Sequence, residues 1–289
     1  MLTRAEFLAS PNPKVVIFHK NCLDGFAAAF TAWKVLGKDA TYLPHNYGDT
    51  ISGLPPGRCT ILMVDVSFAR DLMEAVAANH DLVVLDHHKT AQANLEGLDF
   101  AHFDMAKSGA MLAWDYFHPG KEAPAEVQYV MDRDLWKFTL PQCKEITAAL
   151  SSYPYDVEAW DKIDGASLAT EGVGILRYLN QQVESLLQHA QAITIDGIEA
   201  VYLNSPIFQS EIGHRLLEKF TTAKFALVAF QNAEGINVFS LRSRRNPDGS
   251  PEFDVSQLAK KFGGGGHPNA AGFRGESNNG FTPTGPAKS

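Results

Sequence analysis

The sequence predicts an α/β fold from two observations: short β-branched runs alternate with helical patterns through the first half of the chain, and three of those runs end in polar, chemistry-bearing side chains. Strands buried on both faces read as continuous apolar runs, and the helices between them imply a parallel sheet covered on both sides.

Taken in order, KVVIFH precedes the helical pattern FAAAFTAWKVLG, TILMVDV precedes ARDLMEAVAANH, and DLVVLDHH precedes SGAMLAWDYF. The three runs end in His19, Asp65 and Asp86, and ligands of open α/β sheets bind beyond the carboxyl ends of the strands. The stretch GVGILRYLNQQVESLLQHAQAI carries Ile175, Leu179, Val183, Leu186 and Leu187 at near-helical spacing, which predicts a long connecting helix. Beyond it, GIEAVYLN, FALVAFQ and INVFSLRS read as strands of a smaller α/β domain, with SEIGHRLLEKF and VSQLAKKF as its helices. The tail GESNNGFTPTGPAKS is rich in turn formers and is expected to be loosely ordered. The predicted organisation is a domain over 1–170, a connecting helix over 171–194, a second domain over 195–274 and a flexible tail over 275–289.

A chain of 289 residues, 45% apolar and 20% charged, has room for one large domain or two smaller ones. Its three cysteines, Cys22, Cys59 and Cys143, form no paired spacing, so the expectation is a reducing compartment without disulfides or a CxxC zinc site. The segment MLTRAEFLASPNP has no continuous apolar core, and no run of about 18 apolar residues occurs, so a cytoplasmic protein without a membrane partner is expected. A net charge of −8 argues against binding long duplex nucleic acid, which rests on many Lys and Arg contacts to phosphates. A small anionic ligand met by local positive charge remains compatible, as does a homodimer.

Four segments carry candidate chemistry. His19-Lys-Asn-Cys-Leu-Asp24-Gly25 joins a strand to a helix; a turn there directs His19 and Asp24 into the crevice, or Asp24 merely sits near a helix start. Asp65 in MVDVS either caps the next helix or binds a ligand. Asp86-His87-His88 is the strongest signal, because three such side chains in succession at the end of a buried strand are costly unless they serve a site. Asp132 and Asp134 flank Arg133 in MDRDLW, which taken alone reads as a surface ion-pair cluster. Together, Asp24, Asp65, Asp132 and Asp134 with His19 and His87 form a carboxylate and imidazole set suited to Mn²⁺, with Mg²⁺ as the alternative. A bridging carboxylate holds two such ions about 3.5–4 Å apart, suited to in-line displacement at phosphorus.

In the C-terminal half, KKFGGGGHPNAAGF is too glycine-rich to read as a strand or helix interior. Backbone N–H groups of Gly264, Gly265 and Gly266 can converge on an anion, with His267 as an added donor; the alternative is a linker. Arg242, Arg244 and Arg245 cluster nearby, and Arg242, beside the run VFSL, is the first candidate for a phosphate clamp.

In order, HKNCLDG, VDVS, LDHHKT, DRDLW and GGGGHPNAAGF resemble the DHH phosphoesterase superfamily with its DHH-associated C-terminal domain, over about Val15 to Phe273. The resemblance implies a catalytic domain, a connecting helix, a small substrate-binding domain, and a Mn²⁺ centre in the cleft between the domains. By position it implies His19 and Asp24 in the first metal motif, Asp65 as the bridging carboxylate, and His87 as the ligand from the triplet. Asp134, or Asp132, would be the last metal-binding aspartate, while His88 and Asp86 would serve catalysis. Cys22 departs from the pattern, standing where the family commonly has an aspartate. The resemblance further implies a metal-dependent hydrolase of very short oligoribonucleotides and linear dinucleotides. The alternatives are nucleotide 3′,5′-bisphosphates, cyclic dinucleotides or polyphosphate as substrate, and a nucleotide-binding sensor without catalysis.

Overall fold

The apolar runs become strands because their side chains alternate between two helix-covered faces. In a computed structural model, which describes residues 1–195, 197–275 and 283–287, the chain divides into two units, Met1–Leu176 and Arg177–Ser289. The first unit runs α1 (Arg4–Ala9), β1 (Lys14–His19), α2 (Leu23–Leu36), β2 (Ala40–His45), β3 (Thr60–Val64), α3 (Arg70–Asn79), β4 (Asp81–Asp86), α4 (Lys89–Asn94), β5 (Ala101–Phe103), α5 (Gly109–Phe117), α6 (Ala125–Asp134), α7 (Cys143–Ser152) and α8 (Val157–Trp160). Its five strands form a parallel sheet in the order β2-β1-β3-β4-β5.

Val16, Phe18, Leu62, Val64, Val83 and Leu85 pack with α2, α5 and α6 on one face. Val15, Ile17, Ile61, Met63, Leu82 and Val84 pack with Met73 and Val76 of α3 on the other. Burial of each such side chain contributes about 1.5–3 kcal/mol, and a one-residue slip would exchange a strand's two faces, so the register is strongly specified. That register aligns Phe18 with Val64 and Val64 with Leu85. One step further, His19, Asp65 and Asp86 therefore emerge level with each other at the carboxyl edge.

In this unit, two strands escaped the sequence reading. β2 is an edge strand containing Pro44, and proline is tolerated there because no ladder donor is required. β5 has three residues, too few to show a period.

A long helix, α9 (Leu168–Leu186), contains the boundary between the units and is followed by a 3-10 turn at Leu187–His189. The expected connecting helix over 171–194 is thus displaced, since 191–194 belong to β6 (Gln191–Ile195), where Ile193 and Ile195 enter the second core. The second unit continues with β7 (Ile198–Asn204), α10 (Gln209–Lys219), β8 (Phe225–Gln231), β9 (Asn237–Ser243), α11 (Val255–Lys261), β10 (Gly265–His267), β11 (Ala270–Gly275) and β12 (Pro283–Pro286). Its sheet order is β10-β11-β9-β8-β7-β6-β12. Only β7 and β8 pair in parallel, joined through α10, and the other neighbours are antiparallel. Part of the expected loose tail is instead a strand, because Pro283–Pro286 pairs with β6; 276–282 and 288–289 lie outside the described residues. Among the described residues, no helix is long and apolar enough to cross a membrane.

Candidate metal centre

At the carboxyl edge of the first sheet, four aspartates and three histidines from different elements converge. Asp65 follows β3 with φ of 57°, a left-handed conformation that aspartate tolerates better than most side chains. Its Oδ1 lies 3.1 Å from His87 Nε2 and 3.8 Å from His88 Nδ1, while its Oδ2 lies 3.4 Å from His19 Nδ1. One carboxylate therefore faces different imidazoles with its two oxygens. His87 Nε2 also lies 3.7 Å from Asp24 Oδ2 and 3.5 Å from Asp134 Oδ2.

Close packing by small residues brings these groups together. Asp24, in the first turn of α2, accepts hydrogen bonds from the N–H groups of Gly109 (2.6 Å) and Ala110 (3.0 Å) at the start of α5. A Cβ on Gly109 would stand 2.5 Å from Asp65 Cβ and 2.9 Å from Asp24 Oδ2, so only glycine fits without displacement.

Asp86 is fully buried and structurally committed. Its Oδ1 accepts from the backbone N–H groups of His87 (2.7 Å) and His88 (3.2 Å), and its Oδ2 accepts from Ser67 Oγ (2.8 Å). His88 Nδ1 lies 2.8 Å from Asp86 Oδ1 and 2.6 Å from the Tyr47 hydroxyl, which donates to the Asp65 carbonyl at 2.9 Å. Tyr47 was missed in the sequence because it lies in a loop after the irregular β2, with no periodic or motif signal.

Asp132 and Asp134 part company. Two residues apart on a helix point about 200° apart, so one side at most can face the cluster. Asp134 reaches His87, whereas Asp132 turns away: its Oδ1 accepts from Thr139 N (3.0 Å) and Thr139 Oγ1 (2.7 Å), and its Oδ2 from Leu140 N (3.0 Å). The expectation of Asp132 as a candidate ligand is corrected accordingly; its carboxylate fastens the loop after α6.

The cluster is electrostatically tense. Burial, then Asp134 and Asp65, push the Asp24 carboxyl well above its ordinary range, and burial with the Asp65 charge raises Asp134. Burial opposes charge on Asp65 as well, but the neighbouring His19 and His87 overcome it and hold this carboxyl far below the usual range. Burial disfavours a charged His87, yet Asp134, Asp65 and Asp24 raise it well above an ordinary histidine. The Cys22 thiol is pushed well up by burial and then by Asp65, Asp134 and Asp24. Two buried polar atoms, His19 Nδ1 and Asp65 Oδ2, have no hydrogen-bond partner although they face each other.

Four carboxylates against three imidazoles, with unsatisfied buried lone pairs, fit a divalent cation: with every carboxylate ionised, even full protonation of the imidazoles leaves negative charge uncompensated. Within this unit, three donor triads have their ligand atoms within 4.8 Å of one another: His19 with Cys22 and Asp65, Asp24 with His87 and Asp134, and Asp65 with Asp86 and His88.

In the second unit, the glycine-rich segment differs from the expected anion nest. Gly263 N–H donates to Lys260 O (3.1 Å) and Gly264 N–H to Ala259 O (2.9 Å), closing the end of α11. Gly265, Gly266 and His267 form β10, a strand where none was expected, paired with Gly272, Ala271 and Ala270. A side chain on Gly264 would collide with the Gly272 carbonyl, so glycine here admits a close hairpin. Arg242 is half-buried, donating to Ser240 Oγ (3.0 Å), Leu241 O (2.8 Å) and Ser210 Oγ (2.7 Å). The Arg244 guanidinium donates to the carbonyls of Leu217, Phe220 and Ala223 at and beyond the end of α10.

No protein-family model matches the chain. An uncharacterised protein of Acanthamoeba polyphaga mimivirus is 30% identical over 295 residues, covering 90% of this chain and 66% of that protein, so the chain spans just under two thirds of its relative. Among solved structures, RecJ of Thermus thermophilus in complex with Mn²⁺ is similar with a TM-score of 0.51 at 15% identity, over 93% of this chain and 51% of that one. The pGpG-specific phosphodiesterase PggH of Vibrio cholerae has a TM-score of 0.44 at 15% identity, over 91% and 92% of the two chains. The parallel sheet with its aspartate and histidine edge, the second sheet and the likeness over 93% of the chain show that this chain has a RecJ-like α/β fold.

Proposed function

We propose that the chain is a metal-dependent phosphodiesterase that hydrolyses very short oligoribonucleotides and linear dinucleotides to mononucleotides. The observation that carries this reading is Asp65, a buried carboxylate that turns its two oxygens to different histidines amid further acids. A carboxylate so placed is suited to bridge two divalent cations, with His19 on one side and Asp24, His87 and Asp134 on the other.

When bound, such cations would acidify a water molecule and offset charge developing on the phosphate. Hydrolysis forms a bond from water oxygen to phosphorus, breaks the ester P–O bond, and balances the proton lost by the attacking water with one gained by the departing ribose oxygen, which leaves as a hydroxyl. Asp86 and Tyr47 hold His88 by its Nδ1 side, which keeps a proton on Nδ1 and leaves Nε2 for the scissile phosphate, where the doubly protonated ring donates to a non-bridging oxygen. The Gly109 and Ala110 N–H groups at the start of α5 hold the Asp24 carboxylate in place, and the His87 and His88 N–H groups hold that of Asp86. The net charge of −8 supports a small substrate over a long polyanion. The reading assigns Arg242 and His267 to the substrate's non-reacting end, with Gly264, Gly265 and Gly266 shaping the hairpin that carries His267.

The test is hydrolysis of a 5′-phosphorylated RNA dinucleotide with Mn²⁺ or with EDTA, beside a nucleotide 3′,5′-bisphosphate, a cyclic dinucleotide and polyphosphate. Manganese-dependent release of mononucleotides chiefly from the linear dinucleotide is the expected result. Preference for another substrate overturns the short-RNA assignment, and no cleavage of any overturns the enzyme.

A further inference from the structure

Cys22 sits at the N-cap of α2, a position that favours Ser, Thr, Asp or Asn because their side chains accept from the first helical N–H groups. Its side chain makes no capping hydrogen bond, and it belongs to no disulfide. Its sulfur lies within a 4.8 Å set with one donor atom each of His19 and Asp65. Two buried atoms on those partners, His19 Nδ1 and Asp65 Oδ2, face each other at 3.4 Å without hydrogen bonding to anything among the described residues. An imidazole nitrogen, a carboxylate oxygen and a thiol thus converge, and each of the thiol's two partners carries a buried polar atom without a hydrogen bond. The chain's other cysteines are occupied elsewhere: Cys59 Sγ contacts Pro55 O at 3.6 Å, and Cys143 Sγ contacts Tyr129 O at 3.6 Å.

We infer that Cys22 is a metal ligand, and that His19, Cys22 and Asp65 form a mixed N, S, O position selecting a thiophilic divalent cation such as Zn²⁺ or Fe²⁺. The second position, with Asp24, His87 and Asp134, has only nitrogen and oxygen donors and keeps the preference for Mn²⁺ or Mg²⁺. Uptake at the first position forms a sulfur–metal bond and releases the S–H proton to solvent. The centre is then asymmetric, one ion held through sulfur and one through oxygen and nitrogen alone. This inference rests on the two-cation reading and specifies the chemistry of one half of it.

The experiment is titration of the purified, metal-free full chain with Co²⁺, followed by absorption. Thiolate bound to Co²⁺ gives an intense near-ultraviolet charge-transfer band, whereas nitrogen and oxygen ligands alone give only weak visible bands. The wild type is expected to show both, and Cys22→Ser and Cys22→Asp to lose the charge-transfer band while keeping visible bands. In Cys22→Asp the preference for Zn²⁺ over Mn²⁺ at this position should fall about 10-fold or more, the scale on which metal sites respond to altered surroundings. Visible bands without charge transfer in the wild type overturn the thiol ligand and leave the two-cation reading standing. No Co²⁺ binding at all overturns both. The wild-type spectrum decides even if a variant fails to fold.

Discussion

A side chain as small as a methyl group on Gly109 would place its Cβ 2.5 Å from Asp65 Cβ. The start of α5 is thereby pressed against the end of β3, and two N–H groups of α5 reach the Asp24 carboxylate. Gly109→Ala should cost about 1–3 kcal/mol of stability through overpacking. It should also lower activity far more than that loss of folded protein explains, because Asp24 and Asp65 must move apart. Thermal unfolding and kcat measured together check this, and full kcat in a folded variant would contradict it.

Asp132 and Asp134 should separate cleanly by experiment. Asp132→Ala removes the acceptor for three hydrogen bonds of the 139–140 segment, and leaving such donors unpaired costs about 1–3 kcal/mol. Asp134→Asn removes a charge that burial and Asp65 already disfavour, so the metal-free protein should keep or raise its Tm while cation binding and hydrolysis collapse. The reverse pattern, with activity lost chiefly on the Asp132 side, would reassign the ligand.

Cation affinity should rise with pH. Asp24 and Asp134 are held above the ordinary carboxylate range and His87 well above an ordinary histidine. Below those raised values the groups carry protons that a cation must displace, and as pH climbs through them the competition disappears. Asp65, held far below its usual range, stays ionised and adds no slope. Calorimetry in buffers of different ionisation heat should record net proton release, diminishing at alkaline pH; no proton release would refute this charge assignment.

Arg242→Ala should raise KM for the preferred substrate more than it lowers kcat, the signature of lost uniform binding. Gly213 bears on the same test, since a Cβ there would stand 2.7 Å from Arg242 Cγ. Gly213→Ala should therefore displace the arginine and raise KM too. An unchanged KM in both variants would remove Arg242 from the substrate.

Much of the first sheet was legible because β1, β3 and β4 are continuous apolar runs, each ending in a side chain too polar for its surroundings. The strand register then makes His19, Asp65 and Asp86 neighbours, a consequence that composition alone does not show. What stayed hidden depends on direction or distance rather than residue type. Helical phase separates Asp134 from Asp132, a loop brings Tyr47 to His88, and Gly109 matters only because α5 meets Asp65. In the second unit, glycine richness was read as an anion nest, whereas the same lack of side chains also permits a tight β hairpin.

The most direct test is Mn²⁺ binding to the metal-free full chain, compared between wild type and Asp65→Ala by calorimetry and electron paramagnetic resonance, with circular dichroism to verify folding. With Asp65 as a shared ligand, the wild type should take up two interacting ions, and the folded variant should lose that spin coupling together with hydrolysis. Unaltered coupled binding and normal turnover in Asp65→Ala would contradict a centre built on this residue.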